Sequence, residues 1–136
     1  MQHPEPYDVI AVELSSFQLH WQRSLSPLAS VCLNVAPDHV DWHGSLEAYA
    51  ADKGRVYANT QVACVYNEQD PATERLVRDA DVVEGCRAVG FTLGTPGLSM
   101  LGLVEDVLAE VGVTDFSGYA AVPGTPDEAL YPDVFL

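Results

Sequence analysis

Four short apolar runs divide the first two thirds of the chain, and each reads as a buried strand. Residues 7–12, 29–35, 61–66 and 87–92 are rich in branched and small apolar side chains. They stop at Glu13, at the Pro37-Asp38-His39 turn, at Asn67 and at Gly94. Between them the spacing changes from strand to helix. Ser45 is a plausible N-cap with Glu47 in the first turn behind it. Leu46, Tyr49, Ala50, Lys53, Val56 and Tyr57 then recur every three or four residues, as one face of a helix does. Asp70-Pro71 opens a second helix, with the acid as cap and the proline at the first helical position. Its inward face would carry Ala72, Leu76, Val77 and Ala80.

Strands alternating with helices predict parallel βαβ units, and hence a three-layer α/β fold built on a parallel sheet. Gly94-Thr95-Pro96-Gly97 interrupts the pattern, and residues 98–111 supply at most one more element. From Gly112 on, glycine, proline and acids dominate. Residues 1–108 are therefore expected to hold the packed α/β domain, and residues 109–136 an irregular, poorly ordered acidic tail.

Charge narrows the range of partners. Twenty Asp and Glu face six Lys and Arg, and after Arg87 seven acids follow with no basic residue among them. Such a surface repels nucleic acid and anionic lipid, while it suits divalent cations without proving a site for them. No apolar run nears the roughly 20 residues of a membrane span, and the start lacks the marks of a signal peptide. The expected setting is cytoplasmic. Cys32, Cys64 and Cys86 form no metal-type pair in sequence; Cys32 and Cys64 sit in apolar runs, as small buried hydrophobes do.

Candidate chemistry gathers between Cys32 and Lys53. In open α/β sheets, ligands bind beyond the carboxyl ends of the strands, which is where Glu13 and the Asp38-His39 pair are expected on consecutive strands. Glu13 and His39 could share a divalent ion or merely cap turns, and spacing favours neither. Lys53, the only lysine, falls on the apolar stripe of its helix. A buried stem with the amine reaching solvent is the simpler explanation; a desolvated, modifiable amine is the other. Asn34 is equally a ligand contact or a turn-former, and Trp42 a cover for the site or a core residue. His3 and His20 read as surface residues. Ser15-Ser16 lacks the glycine-flanked elbow of a serine nucleophile, and no G-x-x-x-x-G-K-[ST] phosphate loop is present.

Three segments together carry a resemblance: Glu13-Leu14-Ser15-Ser16-Phe17-Gln18-Leu19, then Leu33-Asn34-Val35-Ala36-Pro37-Asp38-His39-Val40-Asp41, then Ala48-Tyr49-Ala50-Ala51-Asp52-Lys53. In this combination the chain resembles the Mur ligases over roughly residues 7–108, and Phe91-Thr92-Leu93-Gly94 is similar to members from high-GC Gram-positive bacteria. The resemblance implies the middle of the family's central, P-loop NTPase-like ATPase domain. It is closest to the members that join D-glutamate to UDP-N-acetylmuramoyl-L-alanine in peptidoglycan synthesis. The implied reaction consumes ATP and passes through an acyl phosphate. By motif, Glu13 would bind a magnesium ion bridging the nucleotide phosphates, and His39 a second. Lys53 would be carbamylated and present a carboxylate-like group to that second ion, with Lys53 and His39 the catalytic pair. Ser15, Gln18 and Asn34 would lie near the substrate or the phosphates. The family is monomeric, and its phosphate loop and flanking domains have no counterpart in these residues, so the chain alone is expected to be inactive. Alternatives are another Mur or folylpolyglutamate synthase-type ligase, or a non-catalytic module holding a metal or an anion.

Overall fold

The computed structural model describes residues 6–112. They fall into two units treated separately, the short segment 6–13 and the body 14–112. In the body, helix α1 (Ser16–Trp21) precedes strand β1 (Ala29–Cys32). Helices α2 (Val40–His43) and α3 (Leu46–Gly54) follow, and α3 runs into a 3-10 turn at Arg55–Tyr57. Strand β2 (Ala63–Asn67), helix α4 (Pro71–Arg78) and strands β3 (Arg87–Phe91), β4 (Met100–Val104) and β5 (Val107–Val111) complete it. The strands lie in sequence order in one sheet. The first four are parallel neighbours and β5 is antiparallel to β4. The α/β class, and its largely parallel sheet, are as the sequence predicts.

Two helices start where the sequence places them. Ser45 Oγ accepts from Ala48 N–H at 3.0 Å, and Asp70 caps α4 through Ala72 N–H with Pro71 behind it. Such caps contribute only about 0.5–2 kcal/mol each, but they fix where each helix begins, and so the position of Lys53 along α3. The core beneath them joins Cys32, Tyr57 and Cys64, with Val56, Leu76, Val77 and Ala80 packed round it. Leu76, Val77 and Ala80 are thus inward, as expected. Thr73, fully buried, replaces Ala72 as the deepest side chain of α4, because its hydroxyl donates to the Asn67 carbonyl and accepts from the Asn67 N–H, tying α4 to the end of β2.

Tyr57 is wholly buried and ends inside the sheet. Its hydroxyl accepts from Cys32 N–H at 3.0 Å and donates to the Val65 carbonyl at 2.6 Å. A side chain from the end of α3 thereby links β1 to β2. Burial pushes its phenol well above the ordinary tyrosine range, so it stays a donor.

Three expectations need correction. Residues 7–12 form no strand: Val9, Ile10 and Val12 are 54%, 62% and 68% exposed. Branched composition supplies strand propensity, but a strand exists only through a neighbour's hydrogen bonds and packing. Residues 98–111 hold two strands, not one, joined at Glu105 and Asp106, which both take left-handed backbone (φ 49° and 66°). That twist suits a two-residue hairpin, though neither residue is the Asn or Gly that usually signals it. The buried face of α3 is also rotated from the predicted stripe. Tyr49 and Asp52 are buried, whereas Leu46 is exposed. β5 carries ordered chain to Val111; residues 113–136 of the expected tail lie outside the described residues, as does His3.

Candidate active site

The segment leaving β1 comes within hydrogen-bonding reach of α3. Asn34 sits two residues beyond the strand, and its main-chain carbonyl accepts from Lys53 Nζ at 2.5 Å. The same amine lies 5.5 Å from the centre of the Tyr49 ring. Lys53 therefore neither hides its charge in the core nor points freely to water: it is half-buried, held between a carbonyl and an aromatic face. Asn34 contributes to this site through its backbone. The neighbouring Val35 N–H is held by Asp70 Oδ2 at 2.7 Å, and Asn67 Nδ2 donates to the Leu33 carbonyl, so the segment is pinned on both sides.

His39 follows in a left-handed conformation (φ 49°) as the residue before α2. Its N–H donates to Asp38 Oδ1 at 2.8 Å, and its Nε2 lies 3.2 Å from Asp38 Oδ2. The imidazole is half-exposed beside a shallow depression lined by residues 37–42. Gly44 closes α2 with φ 92°, a value a side chain at Cβ would strain.

Ser15 and Gln18 serve α1. Gln18 N–H donates to Ser15 Oγ at 3.3 Å, while the Ser15 N–H and hydroxyl both donate to Gln18 Oε1 at 2.8 and 3.0 Å. This reciprocal capping box is the S-x-x-Q signal that would have found α1 in the sequence. It leaves the Gln18 amide nitrogen as a donor toward solvent. Phe17, next along, packs its ring against His39, Trp42 and His43 with centroids 5.0, 4.8 and 5.4 Å away. Trp42 is thus part of an aromatic group joining α1 to α2, though 48% exposed. Glu13 is exposed and belongs to the separate segment 6–13; it does not follow a strand.

Below this rim lies a cluster that sequence reasoning missed. Asp52 Oδ2 is 2.8 Å from Nδ1 of both His20 and His43, and Asp52 Oδ1 is 3.2 Å from Arg55 Nε. The far nitrogen of His43 reaches Ser16 Oγ at 3.0 Å, and its side chain is wholly buried. Burial alone would raise the Asp52 pKa; the hydrogen bonds from His20 and His43, aided by Arg55, outweigh it and hold the carboxyl below its usual value. This pairing is why an acid, not Lys53, faces inward on α3. His20 is correspondingly not a free surface residue. Ser16-His43-Asp52 has the connectivity of a hydrolase triad, but Ser16 is itself buried in the first turn of α1, so the structure adds nothing to the serine-nucleophile reading.

Comparison with known proteins shows the family. Residues 2–101 match the family model described as Mur ligase middle domain. A protein of Streptomyces avermitilis named "UDP-N-acetylmuramoylalanine--D-glutamate ligase" is 68% identical over 106 residues, covering 78% of this chain and 23% of its own length. One of the same name from Leifsonia xyli subsp. xyli is 50% identical over 135 residues, covering 96% of this chain and 26% of its own. That alignment runs beyond Leu108. Another so named, from Bifidobacterium longum, is 40% identical over 141 residues, covering 93% and 28%. The chain thus spans about a quarter of the length of the curated relatives it matches. No solved structure matches it. Among the described residues, no helix is long and apolar enough to cross a membrane.

Proposed function

The chain belongs to the Mur ligase family, through its middle domain, and on that premise we propose that it supplies part of the active site of an ATP-dependent amide ligase. The substrates of this reading are UDP-N-acetylmuramoyl-L-alanine and D-glutamate, the muramoyl-alanine carboxylate being activated as an acyl phosphate before the amine of D-glutamate attacks. The observation that carries it is the mounting of Lys53. A carbamylated lysine keeps one N–H on Nζ, so the hydrogen bond to the Asn34 carbonyl can persist while two new oxygens become available. An unmodified ammonium would repel a dication; the carbamate turns the same position into a hard oxygen donor, the kind magnesium takes.

By the family motif, His39 and Lys53 are the residues we assign to one magnesium ion, and Glu13 to another. Bound there, the metal would offset phosphate charge and align the attacking and leaving oxygens. The protein's own part is positional. Ser45 and Asp52 hold α3, and hence Lys53, in place; the left-handed turn at Asp38-His39 sets the imidazole at the rim. Gln18 keeps an amide donor free for a phosphate or sugar oxygen, with Ser15 beside it. Asn34 acts through its carbonyl on Lys53.

The test has two arms. With ¹³C-bicarbonate, the chain should give a carbamate resonance that disappears in Lys53→Arg. Replacing the matching segment of the Streptomyces avermitilis relative with these residues should preserve magnesium-dependent ADP formation with both substrates, and Lys53→Ala or His39→Ala should lower it at least about a hundredfold. A chimera that folds yet forms no ADP with both substrates, or an active Lys53→Ala chimera, would overturn the assignment.

A further inference from the structure

We propose that His20, His43 and Asp52 form a second metal site, for a divalent transition ion of the zinc class, separate from the magnesium positions assigned above. Three side chains from α1, α2 and α3 present one donor atom each, His20 Nδ1, His43 Nδ1 and Asp52 Oδ2, all within 4.8 Å of one another. Two imidazoles and a carboxylate are a donor set that takes zinc, copper or nickel in preference to magnesium or calcium. The same cluster explains why three short helices, one of only four residues, hold a buried carboxylate between them.

The atoms facing away from the centre are also arranged as a metal site requires. Ligand histidines normally donate their other ring N–H to a fixed acceptor, and ligand carboxylates are themselves hydrogen-bonded. His43 Nε2 has Ser16 Oγ at 3.0 Å, and Asp52 Oδ1 has Arg55 Nε at 3.2 Å. Without metal, an Nδ1–H on each histidine donates to Asp52 Oδ2, and the Ser16 hydroxyl donates to His43 Nε2. With metal, the His43 proton shifts to Nε2, where Ser16 Oγ accepts it, and Nδ1 becomes a lone-pair donor. A hydroxyl can play either part, so Ser16 satisfies both states.

Little movement is needed. The 2.8 Å separations suit hydrogen bonds, whereas a tetrahedral zinc with bonds of about 2.0–2.2 Å spaces its ligands by roughly 3.4 Å. His20, in the last turn of α1 with 35% of its side chain exposed, can supply the opening on its side, while on the other the Asp52 carboxylate draws back from the buried His43 ring by a similar amount. The exposed His20 side would admit water as a fourth ligand.

The experiment is titration of the whole 136-residue chain with Zn²⁺ or Co²⁺ alone, followed by equilibrium dialysis and visible absorption. Expected is one equivalent bound at micromolar metal, with tetrahedral cobalt bands that lack thiolate charge transfer. Emission should also change, because the His20 ring packs 4.9 Å from Trp21 and 5.1 Å from Trp42. His20→Ala should weaken binding at least about tenfold, and His39→Ala should leave it intact. His20→Gln, which keeps a polar side chain at the same place, serves as the second variant if the alanine fails to fold. Equal binding by the wild type and both His20 variants, thiolate bands from Cys64 and Cys86, or no binding at micromolar metal would each overturn the proposal. None of these results bears on the ¹³C-carbamate signal of Lys53, so the two metal assignments stand or fall apart.

Discussion

His43 and Asp52 face each other at 2.8 Å, Nδ1 to Oδ2, with the imidazole wholly buried and the carboxylate nearly so. They are nine positions apart in sequence, and together with the packing of the His43 ring on Tyr49, 5.2 Å between centroids, this contact fixes α2 against α3. Removing the carboxylate leaves two imidazoles and a guanidinium without their shared acceptor. Asp52→Ala should therefore cost about 3–5 kcal/mol of stability, and Asp52→Asn less, since an amide oxygen can still accept. Urea denaturation monitored by circular dichroism gives both values.

The same carboxyl makes stability depend on acid. Its folded-state pKa lies below the unfolded one, so the folded state gains from its ionised form above the unfolded value, near 3.9. That gain is lost as pH falls through the folded pKa. Between about pH 5 and pH 2, the wild-type midpoint in urea should drop more steeply than that of Asp52→Asn. Parallel curves for the two proteins would contradict the assignment.

Tyr57→Phe tests the link between the strands. The ring stays and only the hydroxyl goes, leaving the Cys32 N–H and the Val65 carbonyl to find each other or remain unpaired. A loss of about 1–3 kcal/mol is expected, read as a lower denaturation midpoint with an unchanged slope.

Gly102 is a close-approach position in β4. A Cβ there would run into the Gly94 carbonyl oxygen and the buried Pro96 ring, both in the loop that returns from β3. Gly102→Ala should destabilise by about 1–3 kcal/mol, whereas Gly94→Ala, whose Cβ meets only the Thr92 hydroxyl at 3.7 Å, should cost less. Thermal melts of the two variants make the comparison.

Two thiols should be slow to react. Burial pushes Cys86 up to about 12, reinforced by the Cys64 sulfur 3.7 Å away, and burial raises Cys32 as well. At pH 8 both stay almost wholly protonated and nucleophilically weak. Iodoacetamide should label them far more slowly in the folded chain than in urea, as peptide mass mapping would report.

What the sequence made legible was local. Ser45 and Asp70-Pro71 announced two helices because capping is decided within a turn, and the runs from Ala29, Gln61 and Arg87 announced three strands because burial is written in their composition. The run at residues 7–12 carried the same composition without a strand resulting, since pairing partners are not written locally. His39 and Lys53 stood out through their motifs, but the Asn34 carbonyl that holds Lys53 is backbone, which no residue type reveals. His20, His43 and Asp52 were harder still. They lie up to 32 residues apart, and an aspartate on a helix reads as a surface residue until its partners are seen.

The hydroxyl of Tyr57 turns one backbone amide into a gauge. In an ordinary parallel pair, the N–H of Cys32 would exchange its hydrogen when the two strands part. Here its acceptor belongs to the exit of α3, so the exchange of that single amide times the undocking of the helix that carries Lys53. One slow proton at residue 32 thus reports on the rigidity of the mount for a side chain twenty-one positions away.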